Sequence, residues 1–273
     1  LATWARLMEV HEQYSHDTKA YLEQNSLTAG LESILAGFTS KIMSDRPELI
    51  GISIMYPRQV LFSLALSKYL ALRYKDKEPR PKIILGGATI SALRCEEILT
   101  ACPFIDAVFS GEGETGLQML CEDRPFAQIS GLAWRKDGHI ISNHKPDTVP
   151  LARVPQPRFE GIDLVSYFTP LPVVPVVYSR GCKWRKCRFC AHNFSYSGYR
   201  KRNTIALVDY LDELNKTRNV RNFYFADQYV DAEDVYLLSQ EILKRKMHIN
   251  FHLMGRPTDS YTPDILQTLS RAG

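Results

Sequence analysis

The sequence predicts an α/β protein of two successive domains, each with parallel strands alternating with helices. Three observations carry that prediction. Continuously apolar, β-branched runs of strand length recur, as in "ELIGISIMY" and "PKIILGG", and such runs belong to strands covered on both faces. Between them lie segments whose apolar residues repeat with helical period. The alternation is interrupted once, over 126–172, by a hairpin pattern and a run of prolines.

Taken in order, Leu27, Leu31, Ile34, Leu35, Phe38 and Ile42 form one apolar stripe and predict a helix over 27–42. "ELIGISIMY" follows as a strand buried on both faces. A helix over 59–74 carries Phe62, Leu66, Tyr69 and Leu70 on one side. "PKIILGG" is a second strand ending in paired glycines, and 90–100 is a helix. "IDAVFSGEGE" is a third strand, leading through a glycine-broken turn into a helix near 114–122. Such right-handed units make a doubly wound sheet, whose ligands sit beyond the carboxyl ends of the strands. "ISGLAWRKDGHIISN" then predicts a hairpin turning at Asp137-Gly138. Seven prolines between Pro146 and Pro175 predict an extended linker. From Val173 the alternation resumes: strand 173–179, a cysteine loop, helix 204–216, strand 221–226, helix 233–246, strand 248–254 and helix 262–272. Val235, Leu238, Ile242 and Leu243 show the stripe. The expected domains are therefore 1–125 and 173–273, joined by a hairpin and linker over 126–172. Leu1 and the closing "LQTLSRAG" suggest a piece of a longer protein, incomplete in both domains.

Composition narrows the class. A chain of 273 residues, 45% of them hydrophobic, can bury a sizeable core. Its net charge of +4 is too mild to imply nucleic acid by itself. No signal peptide opens the sequence, and no apolar run approaches the roughly 20 residues of a membrane span. Six cysteines in such a chain do not suggest a secreted disulfide scaffold. The expectation is a cytoplasmic, reduced protein without a membrane segment.

"CKWRKCRFC" places Cys182, Cys187 and Cys190 at C-x4-C-x2-C spacing. Zinc in a structural site takes four ligands, commonly from two knuckles. No second C-x2-C exists here, and His192 as a fourth ligand would make a tight C-x-H. An iron–sulfur cube normally takes four thiolates, so three would leave one iron open to substrate or cofactor. Cys95, Cys102 and Cys121 all lie in the first domain. Eight Lys or Arg fall between Arg180 and Arg202 with no acid, interleaved with Trp184, Phe189, Phe194, Tyr196 and Tyr199. A basic, aromatic run can bind single-stranded nucleic acid. It can equally balance a thiolate-held cluster and dock an acidic electron donor, the reading favoured here.

In "VVYSRGCKWRKCRFC" a strand runs into clustered cysteines ending C-x-aromatic-C, and strand–helix repeats follow. This resembles the radical S-adenosylmethionine superfamily, with one residue more before Cys187 than its commonest spacing. "SRGC" resembles the cobalamin-binding branch. "GISIMYPRQ", "IILGG" and "SGEGETGL" resemble three successive strand ends of that branch's cobalamin domains. The resemblance covers roughly 48–273.

It implies a Rossmann-like cobalamin-binding domain followed by the first half of a partial (β/α) barrel. It also implies a [4Fe–4S] cluster on Cys182, Cys187 and Cys190, with S-adenosylmethionine on the open iron and Phe189 as the motif's aromatic. Ser53 and Tyr56 would reach cobalamin from a strand end, as would Glu112, Gly113 and Glu114 from a helix entrance. Gly86 and Gly87 would let the backbone approach a large planar ligand or its nucleotide tail. Asp227 would accept hydrogen bonds from the ammonium of S-adenosylmethionine, with Gln228 where relatives carry a second acid; a helix cap is its alternative role. Arg256 would reach the carboxylate. The D-x-H-x-x-G motif that supplies a cobalt-ligating histidine is absent, and His11 and His16 stand in the wrong context for it. Either that motif precedes this stretch or cobalamin is held without it.

The implied activity is methylation of an unactivated carbon in a peptide or small natural product, served by a flavodoxin- or ferredoxin-type electron donor. The alternatives are a cobalamin-dependent radical rearrangement or cyclisation without net methylation, and a zinc-stabilised nucleic-acid-binding module.

Overall fold

Ile83, Ile84 and Leu85 are all buried, yet they belong to two different cores. That is the two-residue period of a strand covered on both sides. In this computed structural model every residue is described except Leu1, 77–79, 144–147, Phe168, 191–195 and Ser197, with backbone alone for 2–11 and Tyr14. The chain divides into two units, Leu1–Asp147 and Thr148–Gly273.

The first unit holds a five-stranded sheet in the order β1 (Leu49–Ser53), β2 (Lys82–Gly86), β3 (Ala107–Phe109), β4 (Leu132–Lys136), β5 (His139–Ser142). The first three strands are parallel, and β4 and β5 add antiparallel. Ile83, Leu85 and Val108 pack with Leu66, Leu70 and Leu99 from helices Val60–Arg73 and Cys95–Ala101. Ile84, Ala107 and Phe109 pack on the other face with Met119 and Leu120 of helix Glu114–Cys121. Helices therefore cover both faces, as the doubly wound expectation requires.

Three details depart from the sequence reading. The hairpin β4–β5 pairs onto β3, with Ala107 opposite Trp134, so it belongs to the first sheet rather than to a linker. Its buried Leu132, Ala133 and Trp134 give the reason. In β1 only Ile50 is buried, while Gly51 and Ser53 are exposed, because β1 lies at the sheet's edge. The helix expected over 90–100 is two pieces, Ala88–Ser91 and Cys95–Ala101. Ser91 Oγ donates back to the Gly87 carbonyl at 3.0 Å, a bond that competes with helix continuation.

The second unit holds three parallel strands in the order β6 (Val173–Val176), β9 (Asn222–Phe225), β10 (Asn250–His252). Helices Thr204–Arg218, Ala232–Lys244 and Pro263–Ala272 follow these strands in turn. Each begins at a side-chain cap, on Asn203, Asp231 and Thr262 respectively. Sequential parallel strands, each followed by a helix, have the connectivity of the opening part of a (β/α) barrel. Val174, Val176, Phe223, Phe225, Leu211 and Leu238 form its core. The strand expected over 173–179 is split. β6 stops at Val176, and β7 (Ser179–Arg180) pairs antiparallel with β8 (Arg200–Lys201).

The proline-rich stretch is an anchored strap. Arg200 donates to the Val149 carbonyl (2.6 Å), and Arg202 to those of Leu151 (2.8 Å) and Val154 (2.7 Å). Tyr210 reaches Pro157 (2.7 Å), Arg218 reaches Phe159 (2.6 Å) and Asn222 reaches Pro172 (3.2 Å). Proline removes donors and blocks strand pairing, so side chains satisfy the carbonyls that remain. Leu151 and Phe159 are buried. Among the described residues no helix is long and apolar enough to cross a membrane.

Candidate cofactor site

The cysteine loop begins and ends at one narrow neck. Ser179 pairs with Lys201 and Arg180 with Arg200. Just beyond, Gly181 has φ +82°, and a Cβ on it would fall 2.0 Å from the Gly198 carbonyl oxygen. Only glycine permits both that conformation and that approach, which accounts for the glycine of "SRGC". Cys182, Cys187 and Cys190 are free and half-buried. A turn joins the last two, with Cys190 N–H donating to Cys187 O at 3.2 Å. Arg185 takes a left-handed φ of 49° inside the C-x4-C span. Lys183, Trp184, Arg185, Lys186, Arg188 and Phe189 are exposed around the thiols, Phe189 at 92%.

This donor set fits an iron–sulfur cluster. Thiols bind iron as thiolates, and these three are reached by solvent. Cys95 and Cys102 are instead buried in the first unit, where burial pushes their thiols up. Among the described residues no three His, Cys, Asp or Glu converge on a single metal ion. A cube does not need that convergence, because each thiolate holds its own iron; a one-ion zinc site does. His192 and Phe194 lie outside the described residues.

Asp227 serves the chain's own backbone. It is 1% exposed, and both carboxylate oxygens are engaged. Oδ2 accepts Tyr178 N–H at 3.1 Å, while Oδ1 accepts Ser179 N–H and, at 2.6 Å, the Ser179 hydroxyl. Burial pushes its carboxyl above the usual range although these donors pull it down. It therefore fastens the neck, and Asp231 rather than Asp227 caps the helix. Gln228 Oε1 accepts Gly181 N–H at 3.4 Å.

Arg256 stacks on the loop, its guanidinium carbon 3.6 Å from the Trp184 ring centroid. The basic run is largely spoken for. Arg202 is buried on strap carbonyls, Arg200 holds Val149, and Lys183 and Lys201 pair with Asp231 and Asp234.

In the first unit the expected strand-end residues do lie at or just beyond the carboxyl ends of β1, β2 and β3. Ser53 is exposed, and Tyr56 is 69% exposed in a turn closed by Gln59, whose Oε1 accepts Met55 N–H (2.9 Å) and Tyr56 N–H (3.0 Å). Gly87 is required by the chain itself. Its φ is +102°, and a Cβ would fall 2.5 Å from Ile54 O. At Gly86 a Cβ would meet Phe109 Cβ at an ordinary 3.5 Å. Ser91 Oγ accepts Gly111 N–H at 2.8 Å, tying the turn after β3 to that after β2. Glu112 and Gly113 are half-buried, and Glu114 opens its helix, where a carboxylate is favoured by the helix dipole.

Gly116 was not anticipated: a Cβ there would overlap the Phe109 ring at 2.0 Å. Gly111, Gly113 and Gly116 have the G-x-G-x-x-G spacing, whose third glycine serves close helix–strand packing, and that signal could have found it. Met55, Leu61, Leu93 and Leu117 are exposed apolar side chains in segments that follow the strand ends. His16 is exposed beside Asp17, and the His11 side chain is outside those described.

No protein-family model matches the chain. Over 165 residues it is 27% identical to the anaerobic magnesium-protoporphyrin IX monomethyl ester cyclase of Synechocystis sp., covering 58% of this chain and 33% of that protein. Among solved structures, the cobalamin-dependent S-adenosylmethionine radical enzyme OxsB, with aqua-cobalamin and S-adenosylmethionine bound, aligns with TM-score 0.74 at 19% identity. That alignment covers 88% of this chain and 36% of OxsB. The radical S-adenosylmethionine methyltransferase TsrM from Kitasatospora setae, with tryptophan and a cofactor analogue bound, aligns with TM-score 0.60 at 15% identity, over 94% of this chain and 54% of TsrM. The chain thus spans about a third of the length of the cyclase and of OxsB. It has the fold of the cobalamin-dependent radical S-adenosylmethionine enzymes.

Proposed function

We propose that this chain is the cofactor-binding part of a cobalamin-dependent radical S-adenosylmethionine enzyme that methylates an unactivated carbon of a peptide or small natural product. The observation that carries the proposal is the set of three free, half-buried thiols on a loop closed at its neck, beyond the carboxyl end of a parallel strand. When bound, a [4Fe–4S] cluster supplies the electron that cleaves S-adenosylmethionine, and cobalamin supplies a methyl carrier. Cys182, Cys187 and Cys190 would hold three irons and leave the fourth for the cofactor. Phe189 offers its exposed ring, and Arg256, beside the loop on Trp184, offers a cation to the carboxylate. Ser53, Tyr56, Gly86, Glu112, Gly113 and Glu114 would border cobalamin without a histidine from D-x-H-x-x-G. The exposed Met55, Leu61, Leu93 and Leu117 supply apolar surface that a macrocycle would cover. Exposed Lys186 and Arg188 suit an acidic flavodoxin- or ferredoxin-type donor.

A second reading, radical rearrangement or cyclisation without net methylation, is favoured by one observation: a relative is named a cyclase. The nucleic-acid module loses support from the pairing of Lys183 and Lys201 and the burial of Arg202.

The full-length protein, loaded anaerobically with iron, sulfide and hydroxocobalamin, should convert methyl-deuterated S-adenosylmethionine under strong reductant to 5′-deoxyadenosine. Label appearing in product supports methylation, and rearranged product without label supports the second reading. A fully loaded cluster yielding no 5′-deoxyadenosine overturns both.

A further inference from the structure

We infer that the segment Asp227–Asp234 is a template that holds both ends of the cysteine loop before any iron arrives, so that Asp227, Asp231 and Asp234 are positioning residues for the cluster site. This rests on reading the loop as a cluster site. On the entering side, Ser179 is held through N–H and Oγ by Asp227, Gly181 N–H by Gln228, and the Lys183 ammonium by Asp231. On the leaving side, Asp234 accepts the Tyr199 hydroxyl at 2.9 Å and pairs with Lys201. Both sides therefore fasten to one short stretch, running from the end of β9 into the first turn of helix Ala232–Lys244.

The tethers interlock. Asp231 also accepts the Tyr229 hydroxyl at 2.9 Å and Ala232 N–H at 3.1 Å. Tyr199 packs edge-on against Tyr229, and the Lys183 ammonium lies 5.2 Å from the Tyr199 ring centroid. Asp234 is 2% exposed, so water does little to weaken its bonds. An unfastened loop would have to lose its conformational entropy at the moment of metal binding; one pinned at both ends has already lost part of it. Lys183, the immediate neighbour of Cys182, has its charge matched by Asp231. That leaves the compensation of cluster charge to other residues of the rim.

Asp231→Asn separates this role from plain helix stability. Asparagine caps a helix as well as aspartate does, but it gives no ion pair to Lys183. In the metal-free full chain, the thermal midpoint should fall only slightly, as loss of one partly exposed ion pair implies. Hydrogen exchange of the 179–183 and 199–201 amides should rise about threefold, the factor that loss of one partly exposed ion pair implies. Iron uptake during anaerobic reconstitution should slow, the EPR line shape of the reduced cluster should broaden, and Asp231→Glu should restore part of each. Asp227→Asn should act in the same direction and more strongly, and Asp212→Asn, which breaks an exposed ion pair with Lys216, should change nothing. If Asp227→Asn fails to fold, Asp231→Asn alone decides. Wild-type exchange and iron uptake in Asp231→Asn would overturn the template, as would faster exchange spread evenly over the second unit. A wild-type chain that takes up no iron would instead sink the cluster reading, while exchange in the metal-free chain would still judge the template.

Discussion

At Gly87 a side chain would strike the protein's own backbone, and this changes how the paired glycines are tested. A φ of +102° with Ile54 O 2.5 Å from the Cβ position makes Gly87→Ala a folding lesion. Backbone strain alone costs about 1–3 kcal/mol, so the variant should lower the denaturation midpoint of the first unit. Gly86→Ala meets only ordinary contacts and should keep that midpoint, which makes it the proper probe of ligand approach. Equal midpoints for the two variants would contradict the assignment. The glycine pair was legible in the sequence, but the reason for Gly87 was not, because Ile54 approaches it from another strand's end.

Asp227 shows the same limit. Its chemistry was visible, but the donors it serves, Tyr178 and Ser179, come from a distant stretch of chain. Its carboxyl is held above the ordinary value by burial, so its folded-state value exceeds the unfolded one. The stability it contributes is then complete below the unfolded value, about 4, and is lost as pH rises through the folded value. Urea denaturation should therefore show the stability of wild type relative to Asp227→Asn falling as pH rises from about 4. A difference independent of pH would contradict the raised value.

At the scale of elements, most strands and helices were legible because hydrophobic period is a local property. The failures occur where a segment's partner is remote. Residues 173–179 have one apolar pattern, yet Ser179 leaves β6 to pair with Lys201. The proline-rich stretch looked like a linker because its anchors, Arg200, Arg202, Tyr210, Arg218 and Asn222, all lie beyond the cysteine loop. These anchors also explain why a run of cations that resembled a binding surface is partly structural. Arg202→Met should leave the half-buried Val154 carbonyl without its side-chain donor and the Leu151 carbonyl with the Val154 N–H alone, and destabilise the second unit by about 1–3 kcal/mol. A loss below 1 kcal/mol would mean the strap is held by Leu151 and Phe159 alone.

For the whole molecule, each unit carries its own core and its own sheet. Each also presents its candidate residues beyond the carboxyl ends of parallel strands, where α/β proteins bind ligands. The account stands or falls on three thiols acting together. The most direct measurement is iron and sulfide content per chain after anaerobic reconstitution of the wild type and of Cys182→Ala, Cys187→Ala and Cys190→Ala, each checked for retained fold by circular dichroism. The account predicts a four-iron complement in the wild type and its loss in every variant, Cys182→Ala included despite the longer C-x4-C span. A full complement in any one of the three would contradict it.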